Sequence, residues 1–292
     1  MAKDSIQNNG PFGEAWLKQH IQSALALTEP GGDFHSRAYT YIDWVYDPQL
    51  FDVENLPDKP CLFVGNHSLF ALDGMVLGPT MYAQTGRFLR GLGDRFLWND
   101  LTQDFIMSQG GVLGHPDVCS ALMQDGRDLL VFPGGAHEAT KTQEQRYTLQ
   151  WKERYGFVKM AALHGYNIMP VAMVGPDEFF DHRIEGEDLL KTPVANIART
   201  LGLLDKDIRP DMVPPIPAGL FGSFWPKPQQ CFIQFGTPVD LSRFKGKEPT
   251  QRQLKNIRGK VATQIEAMIE ELLTYRDEQR GIGPMLRGLF TR

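Results

Sequence analysis

The sequence has no charge-free apolar run of about twenty residues, which is the length that an α-helix needs to cross a bilayer. Its first residues, 1–5, do not open an apolar run of the signal-peptide kind. Cysteine is scarce as well, and the three cysteines are far apart along the chain: Cys61, Cys119 and Cys231. We therefore predict buried thiols in a reducing compartment, with no membrane span, no export by this route, no disulfide framework and no zinc framework.

Three function classes are disfavoured by what the sequence lacks. A formal net charge of -5 leaves no dominant basic surface, which argues against general nucleic-acid binding. The Walker pattern that ends in Gly-Lys-Ser or Gly-Lys-Thr is absent, so the glycines at 110–114 do not indicate nucleotide hydrolysis. The Gly-x-Ser-x-Gly pattern is absent too, which argues against a serine hydrolase.

The chain is long and apolar enough for one α/β core, with 292 residues that are 42% hydrophobic. We divide it into an N-terminal helical and aromatic segment, 1–50, a single domain, 51–276, and a tail, 277–292. Apolar residues from Val261 to Leu272 recur at helical spacing and predict a C-terminal helix. The tail mixes apolar and basic residues, which suits either weak contact with anionic lipid or a frayed end.

Two segments at the edges of this core allow two interpretations each. Residues 11–29 place Trp16 and Ile21 on one face of an amphipathic helix, which packs on the core or meets a membrane. Residues 181–228 read as a long Pro-rich loop with exposed-looking aromatics. A loop of this kind is typical of a lid or of membrane contact, and packing against the body is the alternative.

The first stretch with chemical potential is 64–74, where a buried strand ends and a helix opens. His67 follows the strand and Asp73 lies across the turn. An imidazole can take a proton near neutral pH, and a carboxylate on its second nitrogen fixes the tautomer and stabilises the imidazolium. For this pair taken alone, a hydrogen-bonded structural histidine is the alternative.

A second strand, at 129–132, leads into the Gly-rich turn Pro133-Gly134-Gly135 and then to Glu138. Glycine allows the backbone to approach a ligand closely because no Cβ stands in the way. In open α/β sheets, such strand ends line the binding site. The two segments together therefore predict one site.

With both segments in view, the chain resembles the glycerolipid acyltransferase superfamily, and within it the diacylglycerol acyltransferase-like branch that includes the plant phytyl ester synthases. The resemblance rests on a lead-in and four blocks in order: 52–57, Asn66-His67 with Asp73, 110–114, 132–138 and 168–172. It implies an α/β fold with a central, mostly parallel sheet flanked by helices.

The resemblance implies an O-acyltransferase that moves a fatty acyl group from acyl-CoA or acyl carrier protein to a lipid hydroxyl, with no other cofactor and no metal. His67 would be the general base that Asp73 orients, and backbone N–H groups near the Gly-rich turn are candidates for an oxyanion site. The expected substrate-binding residues are Asn66, Gly111, Phe132, Pro133, Gly134, Gly135, Glu138 and Arg154.

Arg154 belongs to a basic segment, 141–159, that allows two interpretations. The branch commonly has a Trp, a basic residue and a Gly-Phe pair here, and the matching residues are Trp151, Arg154, Gly156 and Phe157. The cations of this segment would lie beside the phosphates of a CoA-type donor, or on the solvated face of a helix.

Two departures from the wider family concern the site. Five residues separate His67 from Asp73, one more than in most members, although this branch often has the longer spacing. Members that bind phosphorylated acceptors usually carry an arginine in the second block and another in the third, and neither is present here. We therefore predict a neutral acceptor, such as diacylglycerol or a long-chain alcohol, with a lysophospholipid or glycerol phosphate as the alternative.

The resemblance also implies partners and a location. We expect a lipid acceptor, an acyl thioester donor and a membrane surface, at the inner face of a membrane in the cytoplasm, with His67 at the mouth of an apolar channel. Because the blocks are altered, a non-catalytic lipid-binding protein on the same fold stays open as a second hypothesis.

Overall fold

A seven-stranded sheet lies at the centre of the computed structural model, which describes residues 12–99, 101–193 and 213–279. The strands are β1 (Gln49–Phe51), β2 (Cys61–Gly65), β3 (Arg90–Gly93), β4 (Gly111–Leu113), β5 (Leu129–Val131), β6 (Asn167–Val174), β7 (Asp181–Ile184), β8 (Ile216–Ala218) and β9 (Phe232–Phe235). The helices are α1 (Glu14–Ala26), α2 (Gly32–Tyr46), α3 (Leu72–Thr85), α4 (Gln103–Ser108), α5 (Pro116–Gln124), α6 (Gly135–Glu138), α7 (Gly156–His164), α8 (Gly186–Leu189) and α9 (Gln251–Glu278).

The order of strands in the sheet is β1-β9-β6-β2-β5-β3-β4. The five strands from β6 to β4 run parallel, whereas β9 is antiparallel to β6 and parallel to β1. All five residues of β2 are buried. A parallel strand covered on both faces reads as a nearly continuous apolar run, as Cys61 to Val64 do. The predicted central, mostly parallel sheet is confirmed.

Alternate side chains of β2 enter two separate cores. Leu62 and Val64 belong to the core that α1, α5, α7 and α9 cover. Phe63 belongs to the core on the other face, under α2 and α3. Trp16 and Ile21 of α1 pack against the first core, so the apolar side of this helix covers the domain and does not face a membrane.

The expected Pro-rich loop is partly regular structure. Strand β7 pairs antiparallel with β8 in a two-stranded sheet, and the chain between them includes α8. The middle of the loop, 194–212, lies outside the described residues, as does most of the expected tail, 277–292. Among the helices that the structure describes, none combines the length and the apolar character that a membrane crossing requires.

The cysteines are buried and unpaired, as predicted: Cys61, Cys119 and Cys231. Burial raises the pKa of the Cys61 and Cys119 thiols to about 11. At neutral pH these groups are therefore protonated and poor nucleophiles.

One ion pair joins the amino ends of β2 and β5. An oxygen of Asp128 accepts the N–H of Cys61 at 2.8 Å, and Arg87 donates from Nε and Nη2 to the two Asp128 oxygens at 2.9 and 2.6 Å. The Arg87 and Asp128 side chains are only 15% and 13% exposed. The Asp128 carboxylate is mostly desolvated and accepts several hydrogen bonds. Its loss would leave the Arg87 guanidinium without a counterion.

We predict that Asp128→Ala lowers the free energy of unfolding by about 3 kcal/mol, the range found when one partner of a buried ion pair is removed. Asp125→Ala is the matched control, since Asp125 pairs with Arg127 at 2.7 Å but is 46% exposed. It should cost less than about 1 kcal/mol. Urea denaturation measures both values, and equal losses would contradict the anchoring role of Asp128.

Candidate active site

His67 lies at the carboxyl end of β2, where the chain leaves the sheet. Asn66 keeps this exit in register, because its Oδ1 accepts the N–H of Met173 at 2.8 Å and its Nδ2 donates to the carbonyl of the same residue at 2.9 Å. These two bonds continue the pairing of β2 with β6 past the end of the strand. Asn66 is buried, so the structure gives it a positioning role and not the substrate contact that we expected.

The His67 ring is bonded to the Asp73 carboxylate, with 2.8 Å between Nδ1 and Oδ2. The same carboxylate accepts the N–H of Ser68 through Oδ2 and the N–H of Gly74 through Oδ1, at 2.5 and 2.6 Å. Three hydrogen bonds therefore hold the Asp73 carboxylate in this orientation. In the turn between the pair, Phe70 and Ala71 adopt left-handed backbone, with φ of 60° and 58°.

The free edge of the imidazole is the part that can react. Within the described residues no group bonds Nε2, and the His67 side chain keeps 9% of its surface exposed while that of Asp73 keeps 1%. Burial lowers the pKa of His67, but the charge and hydrogen bond of Asp73, together with the charge of Glu138, more than offset it, so the pKa is raised overall. Asp73 stabilises the protonated ring, as a general base requires.

The face of the imidazole stacks on the Phe132 ring, with centroids 4.2 Å apart and planes inclined by 9°. Gly65 makes room for this phenylalanine, and Gly74 lies at contact distance from it. A Cβ at Gly65 would lie 3.3 Å from the Phe132 ring, and a Cβ at Gly74 would lie 3.5 Å from it. The third sequence block therefore contacts the first through its aromatic side chain, which fixes the plane of the His67 ring.

The backbone of His67 is held from behind by two buried charged side chains. Glu138 accepts the His67 N–H through Oε1 at 3.0 Å, and Lys141 donates from Nζ to the His67 carbonyl at 2.8 Å. Lys141 is also paired with Asp177 at 2.7 Å. Burial raises the pKa of Glu138 to about 7. Glu138 is fully buried and supports the His67 backbone, and its role toward the acceptor stays a prediction.

The Gly-rich turn packs closely on these supports. A Cβ at Gly134 would lie 1.9 Å from Oε2 of Glu138, so only glycine fits there. Arg154 donates from Nη1 to the carbonyls of Pro133 and Gly134 at 2.9 and 2.7 Å. The N–H of Gly135 is bonded to the Phe132 carbonyl at 2.9 Å. Arg154 therefore holds the turn in place through Nη1. We had expected this side chain to bind substrate.

Two expectations about substrate-binding groups are corrected by the structure. Gly111 begins the edge strand β4, with β3 and β5 between it and β2, and a Cβ there would lie 2.4 Å from Ile106. This glycine lets α4 pack on the strand and lies away from His67. In the basic segment, Lys141 points inward and is paired with Asp177, so it is not available to a donor phosphate, whereas Lys159 is half exposed and paired with Glu248 at 3.0 Å.

One cleft lies at the end of the sheet opposite to His67, and the apolar channel expected at His67 stays a prediction. That cleft, of about 760 Å³, lies at the amino ends of β3 and β5 and is lined by residues such as Phe88, Arg90 and Asp128. His67 is at the carboxyl ends. Among the described residues, no group of three His, Cys, Asp or Glu side chains is arranged to hold a metal ion.

Comparison with known proteins shows which family this chain matches. The family model described as diacylglycerol acyltransferase matches residues 62–280. The chain is similar to chloroplastic phytyl ester synthase 1 of Arabidopsis thaliana, with 27% identity over 237 residues, which cover 76% of this chain and 34% of that protein. It is also similar to chloroplastic phytyl ester synthase 2 of the same plant, with 24% identity over 257 residues, which cover 80% of this chain and 34% of that protein.

The chain thus spans about a third of the length of these two relatives. Among solved structures, it is similar to the 1-acyl-sn-glycerophosphate acyltransferase PlsC of Thermotoga maritima, with a TM-score of 0.47 and 16% identity, covering 89% of this chain and 82% of that one. The family match includes His67, Asp73 and the turn at 132–138. The resemblance predicted from the sequence blocks is confirmed: the chain belongs to the diacylglycerol acyltransferase family.

Proposed function

We propose that this protein transfers a fatty acyl group from a thioester donor, acyl-CoA or acyl carrier protein, to the hydroxyl of a neutral lipid at a membrane surface. The observation that carries the proposal is the His67–Asp73 pair, with 2.8 Å between Nδ1 and Oδ2 and with the opposite ring nitrogen unbonded among the described residues. This arrangement is what a base needs in order to deprotonate an alcohol.

In the proposed reaction, Nε2 of His67 takes the proton of the acceptor hydroxyl as the oxygen attacks the thioester carbonyl. The tetrahedral intermediate then collapses, the carbon–sulfur bond breaks, and the leaving thiolate receives the proton from the imidazolium. The products are an ester and a free thiol. Asp73 stabilises the imidazolium that exists between the two proton transfers, and no covalent acyl-enzyme is formed.

The oxyanion of that intermediate needs hydrogen-bond donors. The N–H of Gly135 is already bonded to the Phe132 carbonyl. The N–H of Gly134 has no acceptor within residues 12–99, 101–193 and 213–279. We assign it as the candidate oxyanion donor, on the turn that Phe132 attaches to the imidazole.

The neutral acceptor is supported by the cations around the site. Lys141 is paired with Asp177, and Arg154 is partly occupied by the carbonyls of the Gly-rich turn. A phosphorylated acceptor is normally bound by guanidinium groups that are free to make bidentate contacts. The names of the two plant relatives refer to the synthesis of phytyl esters, which are esters of an alcohol without a phosphate.

A non-catalytic lipid-binding protein on this fold is the second candidate, because only 9% of the His67 side chain is exposed. We predict that His67→Ala lowers the rate of acyl transfer by about a hundredfold to ten-thousandfold, the contribution typical of a general base. His164→Ala is the matched control, since His164, at the end of α7, is bonded to Ser120 of α5 and this variant should keep full activity. Labelled acyl-CoA with diacylglycerol in vesicles provides the assay. Wild-type protein that is inactive with both donor classes would favour the lipid binder.

The pH dependence of kcat/KM should report the His67–Asp73 pair. The neutral imidazole is the active form, and Asp73 raises the pKa of His67, so activity is lost as the pH falls through a value above 6.5. In Asp73→Asn, we expect the acidic limb to move to lower pH and kcat to fall by at least about a hundredfold, because the carboxylate no longer stabilises the imidazolium. A wild-type limb below 6.5 would show that burial dominates and that Asp73 does not tune the base.

The acceptor preference is tested by competition. We predict that diacylglycerol or a long-chain alcohol is acylated at least about tenfold faster than lysophosphatidate, since the charge-assisted bonds that a phosphate needs are not provided. Product analysis with one acyl-CoA and equimolar acceptors measures the ratio. A preference for lysophosphatidate would contradict the neutral-acceptor proposal while leaving acyl transfer intact.

A further inference from the structure

We propose that this chain docks on the uncharged surface of a lipid bilayer through an aromatic rim beside His67. The rim, as defined here, consists of Trp44, Phe70, Met75, Phe221, Phe224 and Trp225. The choice of a bilayer as the partner rests on the proposed function, because a lipid acceptor must pass from the membrane to His67.

The rim comes from three separate parts of the chain that contact one another. The ring of Trp225 lies 6.4 Å from that of Tyr41, and Trp44 follows on the same face of α2 one turn later. Gly219, in the turn that precedes Trp225, lies so close to Phe180 that a Cβ there would be 3.0 Å from its ring. Phe180 in turn contacts Phe70, with centroids 5.9 Å apart.

The rim also adjoins the proposed active site. Phe70 lies in the turn between His67 and Asp73, and Met75 lies in α3, two residues after Asp73. All three parts of the rim lie at the carboxyl end of the parallel strands. Strand β9 starts at this end, beside Val174 at the end of β6, and Tyr46 at the end of α2 is bonded to the residue just before β9. A bilayer that covers the rim would therefore face the free edge of the imidazole.

The side chains of the rim are far more exposed than large apolar groups usually are. Phe221 and Trp44 are each 80% exposed, and Phe224 is 76% exposed. Trp225 and Met75 are each 59% exposed. Single exposed apolar residues are ordinary, but several large ones on adjoining segments are typical of an interaction surface.

The backbone holds two of these side chains outward at an energetic cost. Phe70 and Phe221 have φ of 60° and 53°, in the left-handed region that bulky residues avoid. The turn that carries Phe221 is closed by the bonds Gly219 N–H to Ser223 O at 2.6 Å and Leu220 N–H to Trp225 O at 2.7 Å. The aromatics are thus presented by a fixed turn, and their exposure does not come from a loose loop.

The chemistry of the rim indicates an uncharged bilayer surface. Tryptophan and phenylalanine are the residues that enter the boundary between headgroups and acyl chains. Of the basic residues beside the turn, Lys227 is paired with Asp181 and Arg183 is bonded to the Gly222 carbonyl, and the whole chain has a net charge of -5. Docking should therefore depend on apolar insertion, with little contribution from anionic lipid or from salt concentration.

The test is sedimentation of the full chain with phosphatidylcholine vesicles. In the triple variant Trp44→Gln, Phe221→Asn and Phe224→Ser, we expect vesicle binding to fall about a hundredfold. Asparagine tolerates left-handed backbone, so this variant should be as stable as the wild type. The matched control is the double variant Leu101→Ser and Leu163→Ser. Leu101 lies just before α4 and is 94% exposed, and Leu163 lies on α7 and is 47% exposed. This control should bind vesicles as the wild type does.

His67→Ala separates the docking proposal from the proposed acyl transfer. This variant should bind vesicles as the wild type does, whatever its effect on acyl transfer. Equal binding of the triple variant and the wild type would overturn the docking proposal. It would also be overturned by wild-type protein that ignores phosphatidylcholine, or by light scattering that shows the rim to be an interface between two copies, with a dimer that the triple variant converts to a monomer. Tryptophan emission that shifts to the blue with vesicles in the wild type, and much less in the triple variant, would support it.

Discussion

The hydrogen bond between Nδ1 of His67 and Oδ2 of Asp73 is the interaction on which the rest of the site depends. It places the proton of the neutral ring on Nδ1 and leaves the lone pair of Nε2 directed away from the acid. The 2.8 Å distance places the Asp73 carboxylate in direct hydrogen-bond contact with the ring inside the domain. Backbone N–H groups of the same turn provide the stabilisation that water would otherwise supply, so the pair is built into the exit from β2.

The surroundings of the pair are arranged so that both backbone polar groups of His67 are bonded. Glu138 holds its N–H and Lys141 holds its carbonyl. Phe132 fixes the plane of its ring, and Arg154 fixes the turn that carries Phe132. A base held in this way does not have to be ordered again when substrate arrives, which is the advantage of a preorganised site.

The sequence was informative where one physical signal dominated. The buried strands β2 and β5 read as apolar runs, and His67 and Asp73 stood on either side of one turn, so both the sheet and the pair could be predicted. The supports could not be predicted in this way, because Lys141 is buried only by virtue of its partners, the His67 carbonyl and Asp177, which lie far from it in the chain. A basic residue in a basic segment gives no sign of such burial. Gly111 was wrongly assigned to substrate because a glycine that accommodates Ile106 looks the same in sequence as one that accommodates a ligand.

Nitrogen NMR of the histidines, with His67→Gln to assign the signal, tests the central claim most directly. If Asp73 orients the ring, the neutral form of His67 carries its proton on Nδ1, with Nε2 as the acceptor, and the ring titrates above its ordinary pKa of 6.5. A neutral ring protonated on Nε2, or a pKa below 6.5, would show that the acid does not hold the imidazole and would contradict its assignment as the base.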